Sequence, residues 1–561
     1  MKSKYCLFIF SLCVAFASSS RLCAQTPADG AADGSSDGTS LSVDRVIDKA
    51  IEQERSLGRR MAGLRPLIET YTQNMGVHAD LGAVPKSDKY FLGKLDLTRG
   101  VRQKSLMPDS KGWMGGLRQR IRQVYSVDYV PEGFAATILL GPNFEKSRYD
   151  FTYVRREFLG EVRCLVFDVQ PKKGNRAVSF LGRIWVEDRD FNIVRFNGTH
   201  APSSGGSLYF HFDSWRENMG PGLWLPAYVY TEESDLPYFM GTRKLRFKGQ
   251  TRLWAYNTGK ANKQNELTSL TVEADNVQDK AAEDDTITPV EAFRAWERQA
   301  EDNVLQRLEE AGLLAPDGPV NKVLETVINN LEITNNLDIQ PPIRARVLLT
   351  TPIESFTVGH TVVLSRGLID VLPDEASLGL ALAHEVAHIA LGHTLDTKYA
   401  FNDRTLFEDE ESFFRLSLHR TEAEEAAANK AGVEYLKNSP YKDKLSNAAL
   451  FLRALEARAP ELTALLRPHL GNQMTSSGKV TRMADLIPQA PKLEMQRTDQ
   501  IAALPLGSRV QVDLWNNTIK LMKTKNVPLL SAREKMPFEL SPVFLYLTRQ
   551  QQSSQVTAQT R

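Results

Sequence analysis

Cysteine is almost missing from this chain: there are four among 561 residues, and Cys6, Cys13 and Cys23 fall within the first two dozen. Only Cys164 lies deeper, so a chain that loses its N-terminus can form no internal disulfide and no cysteine-built metal site. A long apolar run is missing as well. Beyond the N-terminus no stretch of about 18 apolar residues occurs, which excludes an integral membrane segment from the mature chain. Charge of one sign is also missing: 69 Lys and Arg face 68 Asp and Glu, a net +1. That balance gives no ground for nucleic acid or an anionic membrane as partner. No internal repeat at a solenoid or propeller period is present.

The N-terminus reads as an export signal. Lys2 and Lys4 precede an apolar run from Tyr5 to Ala17, followed by small and polar residues up to Leu22-Cys23-Ala24-Gln25. This is the order of a secretory signal peptide, and the run is shorter than the roughly 20 residues a spanning helix needs. Cleavage is expected after Ala24, with Ala17 as the alternative, and Leu22 ahead of Cys23 speaks against a lipidated cysteine. Residues 1–24 are thus assigned to the signal, and the mature protein to the periplasm or the extracellular space.

What remains exceeds one core, since domains hold about 100–200 residues. Gly, Ser, Asp and Ala dominate residues 25–42, which read as a disordered leader. A helical pattern runs from about Val43 to Gln73. From about Tyr90 to Val272 the texture changes to short β-type runs, such as 135–140, 164–169 and 182–187, split by turn signals at 171–174 and 202–206. That spacing favours an antiparallel sheet with one covered face. After acidic 283–285, Thr288-Pro289-Val290-Glu291 marks a helix start, and the helix is expected to reach Gly312 before Pro316 to Pro319 stop it. Renewed β character spans 504–547, notably at 509–515 and 544–548, ahead of a polar, Gln-rich tail. The expected fold class is therefore multidomain α+β. An antiparallel β-rich N-terminal domain covers 43–285 and a connecting helix 286–319. A mainly helical domain with a small sheet covers 320–490, and a small β-containing region 491–561.

The densest chemistry lies at His384-Glu385-Val386-Ala387-His388. Residues 380–391 hold no Pro or Gly, so a helix is expected, and residues four apart share a helix face. His384 and His388 can then aim their imidazoles at one point. Zinc accepts neutral imidazole nitrogen at about 2.0–2.1 Å and keeps a fourth position for water in catalytic sites. Glu385, beside the first histidine, can take a proton from that water. H-E-x-x-H has only three fixed positions and arises by chance in long chains, so its surroundings matter. Its flanks, Ala381 to Ala383 and Ile389 to Leu391, are small and apolar, which buries the helix, and buried histidines need partners. A β-type segment at 357–372 precedes it, and an edge strand offers backbone groups to a peptide. An acidic helix at 421–436 offers Glu422, Glu424 and Glu425 as a third ligand. A metzincin would carry Gly three and His six residues beyond His388, where Leu391 and Thr394 stand. His393 therefore does not fit as that ligand, and a distal glutamate is the better choice.

Together the β-type segment, Gly367-Leu368-Ile369-Asp370-Val371-Leu372, the HEVAH helix with His393 close by, and the E-x-x-A-N-x-x-G run over 425–432 resemble peptidase family M48. That family includes membrane-embedded prenyl-protein proteases and soluble proteases of the envelope. The resemblance covers about 320–482. It implies one Zn2+ per chain held by His384, His388 and Glu425, with Glu422 and Glu424 as fallbacks. It also implies Glu385 as the base of a gluzincin-type metalloendopeptidase, and a protein or peptide as substrate.

Two positions depart from the family pattern. Asn429 stands where the family has an Asp that orients a zinc histidine, so the histidine should be less basic. The stretch 475–482 keeps Arg482 but lacks the histidine of a His-Pro pair. Asn429, His393, His419 and Arg482 are accordingly the candidates for supporting the ligands or stabilising the oxyanion, with His469 as a further one for the oxyanion.

Residues 180–196 are similar to a hairpin of the lipoprotein-carrier-like half-barrels of bacterial envelopes, whose curved sheet can hold an acyl chain or a partner segment. This implies a lipid or lipoprotein contact through the N-terminal domain. The function implied is an exported zinc endopeptidase of envelope quality control or processing. The alternative is a zinc-binding chaperone-like, or lipid- or lipoprotein-binding, envelope protein with little peptidase activity. Asn429 and the missing histidine motivate that alternative, and the intact Glu385 counts against it.

Overall fold

Apolar residues at helical spacing build α1 (Val43–Leu64), which buries Val46, Ile47, Ala50, Ile51, Leu57 and Met61 along one face. The helix stops nine residues short of the expected Gln73. Pro66 has no N–H to donate and disfavours helical backbone in the residue before it, and Arg65 turns to φ +34°. The chain continues as β1 (Leu67–His78). A computed structural model describes residues 42–78, 82–98, 102–106, 134–173, 179–201, 210–238, 243–257, 289–393, 418–493, 510–513, 518–521, 538–540 and 542–550. The expected signal, leader, Thr288 cap and C-terminal tail lie outside these residues, apart from Ser42.

β1 pairs antiparallel with β2 (Gly82–Asp96), and β2 with β3 (Arg102–Ser105). β4 (Tyr149–Leu159), β5 (Val162–Pro171), β6 (Ser179–Glu187), β7 (Ile193–Ala201), β8 (Phe212–Gly220), β9 (Leu223–Tyr238) and β10 (Arg243–Trp254) follow as an antiparallel meander. β10 returns to pair with β1, so one ten-stranded sheet runs β3-β2-β1-β10-β9-β8-β7-β6-β5-β4. The β-rich stretch thus begins near Leu67 rather than at Tyr90.

Neighbouring residues of a strand point to opposite faces, and here the two faces meet different partners. Arg216 reaches Glu54 of α1 at 2.7 Å, and both are buried. Asp213 and Trp215 meet Arg195, which pairs with Asp213 at 2.8 Å and stacks 4.3 Å from the rings of Trp185 and Trp215. Trp185, Trp215, Tyr228 and Tyr230 share one core with Leu324, Leu380, Phe451 and Leu452 of the helical part. Late residues, 538–540 and 542–550, join that core through Phe538, Leu540 and Leu547. They are anchored by Gln73 to Phe538 and Leu540, by Lys248 to Glu539, and by Arg549 to Glu187 at 2.6 Å. Residues 544–548 are an extended strap rather than the expected strand, with Leu547 accepting one bond from the Glu161 N–H. The other expected C-terminal strand falls in an antiparallel pair, β16 (Val510–Asp513) and β17 (Thr518–Leu521).

The second part opens with α2 (Pro289–Glu310) and α3 (Pro319–Thr334), which has proline in its first turn. A small sheet follows, with β11 (Arg344–Leu348) parallel and β12 (Ser355–Val358) antiparallel to a central β13 (Thr361–Ser365). The β-type segment expected over 357–372 is broken because Ser365 caps α4 (Arg366–Val371) by accepting from the Leu368 N–H. α5 (Glu375–Ala390), α6 (Glu422–Lys437) and α7 (Leu445–Arg458) complete this part. No described helix is long and apolar enough to cross a membrane. The chain is α+β, antiparallel sheet first and helices with small sheets after it.

Buried carboxylates tie the sheet to the small-sheet region. Glu69 of β1, 1% exposed, accepts from the Thr351 N–H at 2.6 Å and the Tyr90 hydroxyl at 2.9 Å, and pairs with Arg252 at 3.1 Å. Asp88 of β2 accepts from the Ala464 and Leu465 N–H groups at 2.8 and 2.7 Å. Removing one partner of a buried ion pair leaves the other charge uncompensated. Glu69→Ala should therefore lower unfolding free energy by about 3–5 kcal/mol, read as a shift of the urea midpoint. Burial raises the Asp88 carboxyl above its ordinary value, with the two N–H bonds pulling the other way. A raised folded value means that this group's stabilisation is full below about pH 4 and is lost as pH rises through the raised value. Asp88→Asn should remove that part of the pH slope, as thermal melts across the mildly acidic range would record.

Candidate metal centre

Asp374 starts α5 by accepting from the Ser377 N–H at 2.8 Å. Every residue from Leu380 to His388 is buried, the mark of a helix enclosed on all sides. Small residues let its neighbours come close. A Cβ on Gly379 would sit 2.8 Å from the Tyr441 ring, and one on Gly432 of α6 would sit 3.1 Å from the Ala383 carbonyl. The close approach of α6 brings its first turn to the histidines.

α6 begins with a capping box: Thr421 accepts from the Glu424 N–H while the Glu424 carboxylate accepts from Thr421. Glu424 is thereby occupied at the helix end, and Glu422 is exposed. Glu425 points inward, with Oε2 3.4 Å from His384 Nε2 and Oε1 3.4 Å from His388 Nε2. The two Nε2 atoms are 3.1 Å apart. A tetrahedral ion bound at about 2.0–2.1 Å requires donor atoms roughly 3.3 Å from one another, so two imidazole nitrogens and one carboxylate oxygen fit a zinc-sized cation. These residues form the potential metal-holding group among the described residues.

The electrostatics suit metal binding. Burial, and then the Arg482 charge, lower the His384 value and keep its imidazole neutral, against the opposing carboxylates Glu425 and Glu385. Burial alone would raise the Glu425 carboxyl; hydrogen bonds with His384 and His388 and the nearby Arg482 outweigh it and hold it well below the usual range. His388 Nδ1 lies 2.8 Å from His393 Nδ1. His393 Nδ1 is thus in place to accept a hydrogen bond from the His388 Nδ1–H, the support that a ligating histidine ordinarily finds in a carboxylate or carbonyl. Its own value is lowered by burial and by His388.

Glu385 is buried beside the cluster. Its Oε1 accepts from the Ser355 hydroxyl at 2.7 Å and lies 3.0 Å from Arg482 Nη1. Arg482 is 2% exposed and follows a two-residue hairpin, β14 (Thr475–Ser476) and β15 (Lys479–Val480). Ser477 and Gly478, at φ +50° and +77°, form its turn. Asn429 does not reach a metal-site histidine: its amide bonds the backbone of Thr481 and Met483, because α6 lays that position against the hairpin's exit. His419 is exposed, whereas its neighbour Arg420 turns in and donates to Thr357 Oγ1 at 2.8 Å. The backbone N–H of His469 donates to Glu354.

Three residues at this site escaped the sequence reading. Ser355 and Glu354 lie about 30 positions ahead of HEVAH, at the start of a short strand, and no spacing rule links them to it. Glu354 is buried and accepts from the N–H groups of His469, Leu470 and Gly471 at 3.2, 3.1 and 3.4 Å. Arg420 had one signal, its position directly before the capping box.

Residues 319–408 match the family model described as Peptidase family M48; the match includes HEVAH and ends before Glu425. No curated protein matches the chain. Among solved structures, a LolA superfamily protein from Nitrosomonas europaea is 12% identical, covers 38% of this chain and 92% of its own, and has a TM-score of 0.20. A lipoprotein-sorting protein domain from Vibrio parahaemolyticus, described as putative and outer membrane, is 13% identical over 40% and 98%, with a TM-score of 0.17. A DUF1329 family protein from Desulfovibrio piger is 12% identical over 41% and 98%, with a TM-score of 0.18. Residues 319–408 are thus similar in sequence to peptidase family M48.

Proposed function

We propose that this protein is an exported zinc endopeptidase, with its peptidase domain over 320–490, that cuts proteins or peptides of the cell envelope. The observation that carries this reading is the convergence of His384, His388 and Glu425 beside a buried Glu385. In this reading the three residues hold Zn2+, which when bound supplies Lewis acidity to the attacking water and to the scissile carbonyl. Glu385 takes the proton from that water and passes it to the leaving amine. Ser355 and Arg482 restrain one oxygen of Glu385, which limits the rotamers the base can adopt. Burial keeps bulk water away and strengthens each of these contacts. A lipid or lipoprotein contact through the large sheet belongs to the same proposal and rests on the hairpin resemblance at 180–196.

One observation favours a second reading, a zinc-bound binding protein with little hydrolysis. β12 is an edge strand of the small sheet beside α5, and all four of its residues are buried. Gly471 packs so close that a Cβ there would lie 2.8 Å from the Ser355 carbonyl. A substrate would have to displace that cover to pair with the edge.

Zinc content and casein hydrolysis, wild type beside Glu385→Gln, decide between the two readings. About one zinc per chain in both, with hydrolysis reduced about 10²–10⁴-fold in the variant, is the expected result. Zinc in both proteins and hydrolysis in neither favours the binding reading; zinc in neither removes both. His393→Ala should weaken zinc affinity about 10- to 100-fold, measured by competition with a chromogenic chelator.

A further inference from the structure

We propose that Asn429 is a positioning residue, whose side-chain amide fixes residues 481–483 so that Arg482 holds Glu385 ready for proton transfer. The inference rests on the peptidase reading and assigns a role within that site.

Asn429 lies four residues beyond Glu425 on α6, so the two share a helix face. Its Oδ1 accepts from the Met483 N–H at 2.8 Å, and its Nδ2 donates to the Thr481 carbonyl at 3.2 Å. One amide thus bonds the residue on each side of Arg482. Met483 has φ +53°, a left-handed conformation that a side-chain-bearing residue keeps only where its surroundings fix it. Between the two bonds Arg482 turns inward. Its Nη1 donates to Ser355 Oγ at 2.5 Å and lies 3.0 Å from Glu385 Oε1, while Nη2 lies 3.9 Å from Glu425 Oε2. The Ser355 hydroxyl closes the triangle on Glu385 at 2.7 Å.

An amide suits this place and a carboxylate does not. An amide offers an acceptor to one backbone group and a donor to another, whereas an ionised carboxylate only accepts. An ionised Asp would still accept from Met483 but would turn an oxygen lone pair toward the Thr481 carbonyl. The Asn is therefore matched to the loop it holds.

Asn429→Asp is the closest change in shape. The expected result is a kcat about 10- to 100-fold lower on a peptide substrate, the size of effect a small misplacement produces. KM and zinc content should stay at wild-type values. Added to Arg482→Lys, the same substitution should give no further loss, because both act through one guanidinium. A wild-type kcat in Asn429→Asp, or losses that multiply in the double variant, overturns the assignment and leaves the peptidase reading standing. A wild type that binds zinc but hydrolyses nothing overturns both. Asn429→Ala, read in the same way, serves if the aspartate variant does not fold.

Discussion

Buried backbone N–H groups that no ladder can pair must find acceptors elsewhere, and in this protein three carboxylates accept them around the candidate metal centre. Glu69 takes Thr351, Asp88 takes Ala464 and Leu465, and Glu354 takes His469, Leu470 and Gly471. The loops they hold flank β12, whose first residue, Ser355, bonds Glu385. The position of Glu385 therefore depends on a chain of contacts that begins in the large sheet. Desolvating these carboxylates is unfavourable, and burial raises both Asp88 and Glu354. The N–H bonds offset much of that cost and fix loop geometry that apolar packing alone would leave loose.

The centre itself is built from close helix contact and graded support. Gly432 and Ala383 bring α6 onto α5, and the capping box turns Glu424 away while Glu425 faces the histidines. The two histidines are not equivalent. His388 leans on His393, whereas His384 feels the Arg482 charge after the larger effect of its burial. The surroundings of His384 favour the neutral imidazole, the form that binds a metal.

The sequence made some of this legible and hid the rest for physical reasons. A four-residue spacing on a helix fixes the grouping of His384 with His388, so local geometry sufficed there. Spacing alone could not choose among Glu422, Glu424 and Glu425, because the choice depends on how α6 is capped and against what it packs. The start of β1 was obscured because Glu69 and Gln73 are polar yet buried, satisfied by partners hundreds of residues away. Ser365 broke an expected β-type segment by capping a helix, a local signal that β-branched neighbours outweighed. Asn429 was read as a weakened Asp because its true partners, Thr481 and Met483, come together only in the folded chain.

The strap formed by 538–540 and 542–550 has a consequence in time. One face of the large sheet, formed from residues made early, is covered partly by Phe538, Leu540 and Leu547, which are made hundreds of residues later. Until those residues emerge, Trp185 and Trp215 on that face lack part of their covering, and Arg195 lacks the Phe544 ring that stacks 5.6 Å away. A nascent chain in that state exposes aromatic surface beside strand edges, the condition under which folding intermediates associate. Synthesis order thus places the last apolar residues of the strap after every other part of the core that they cover.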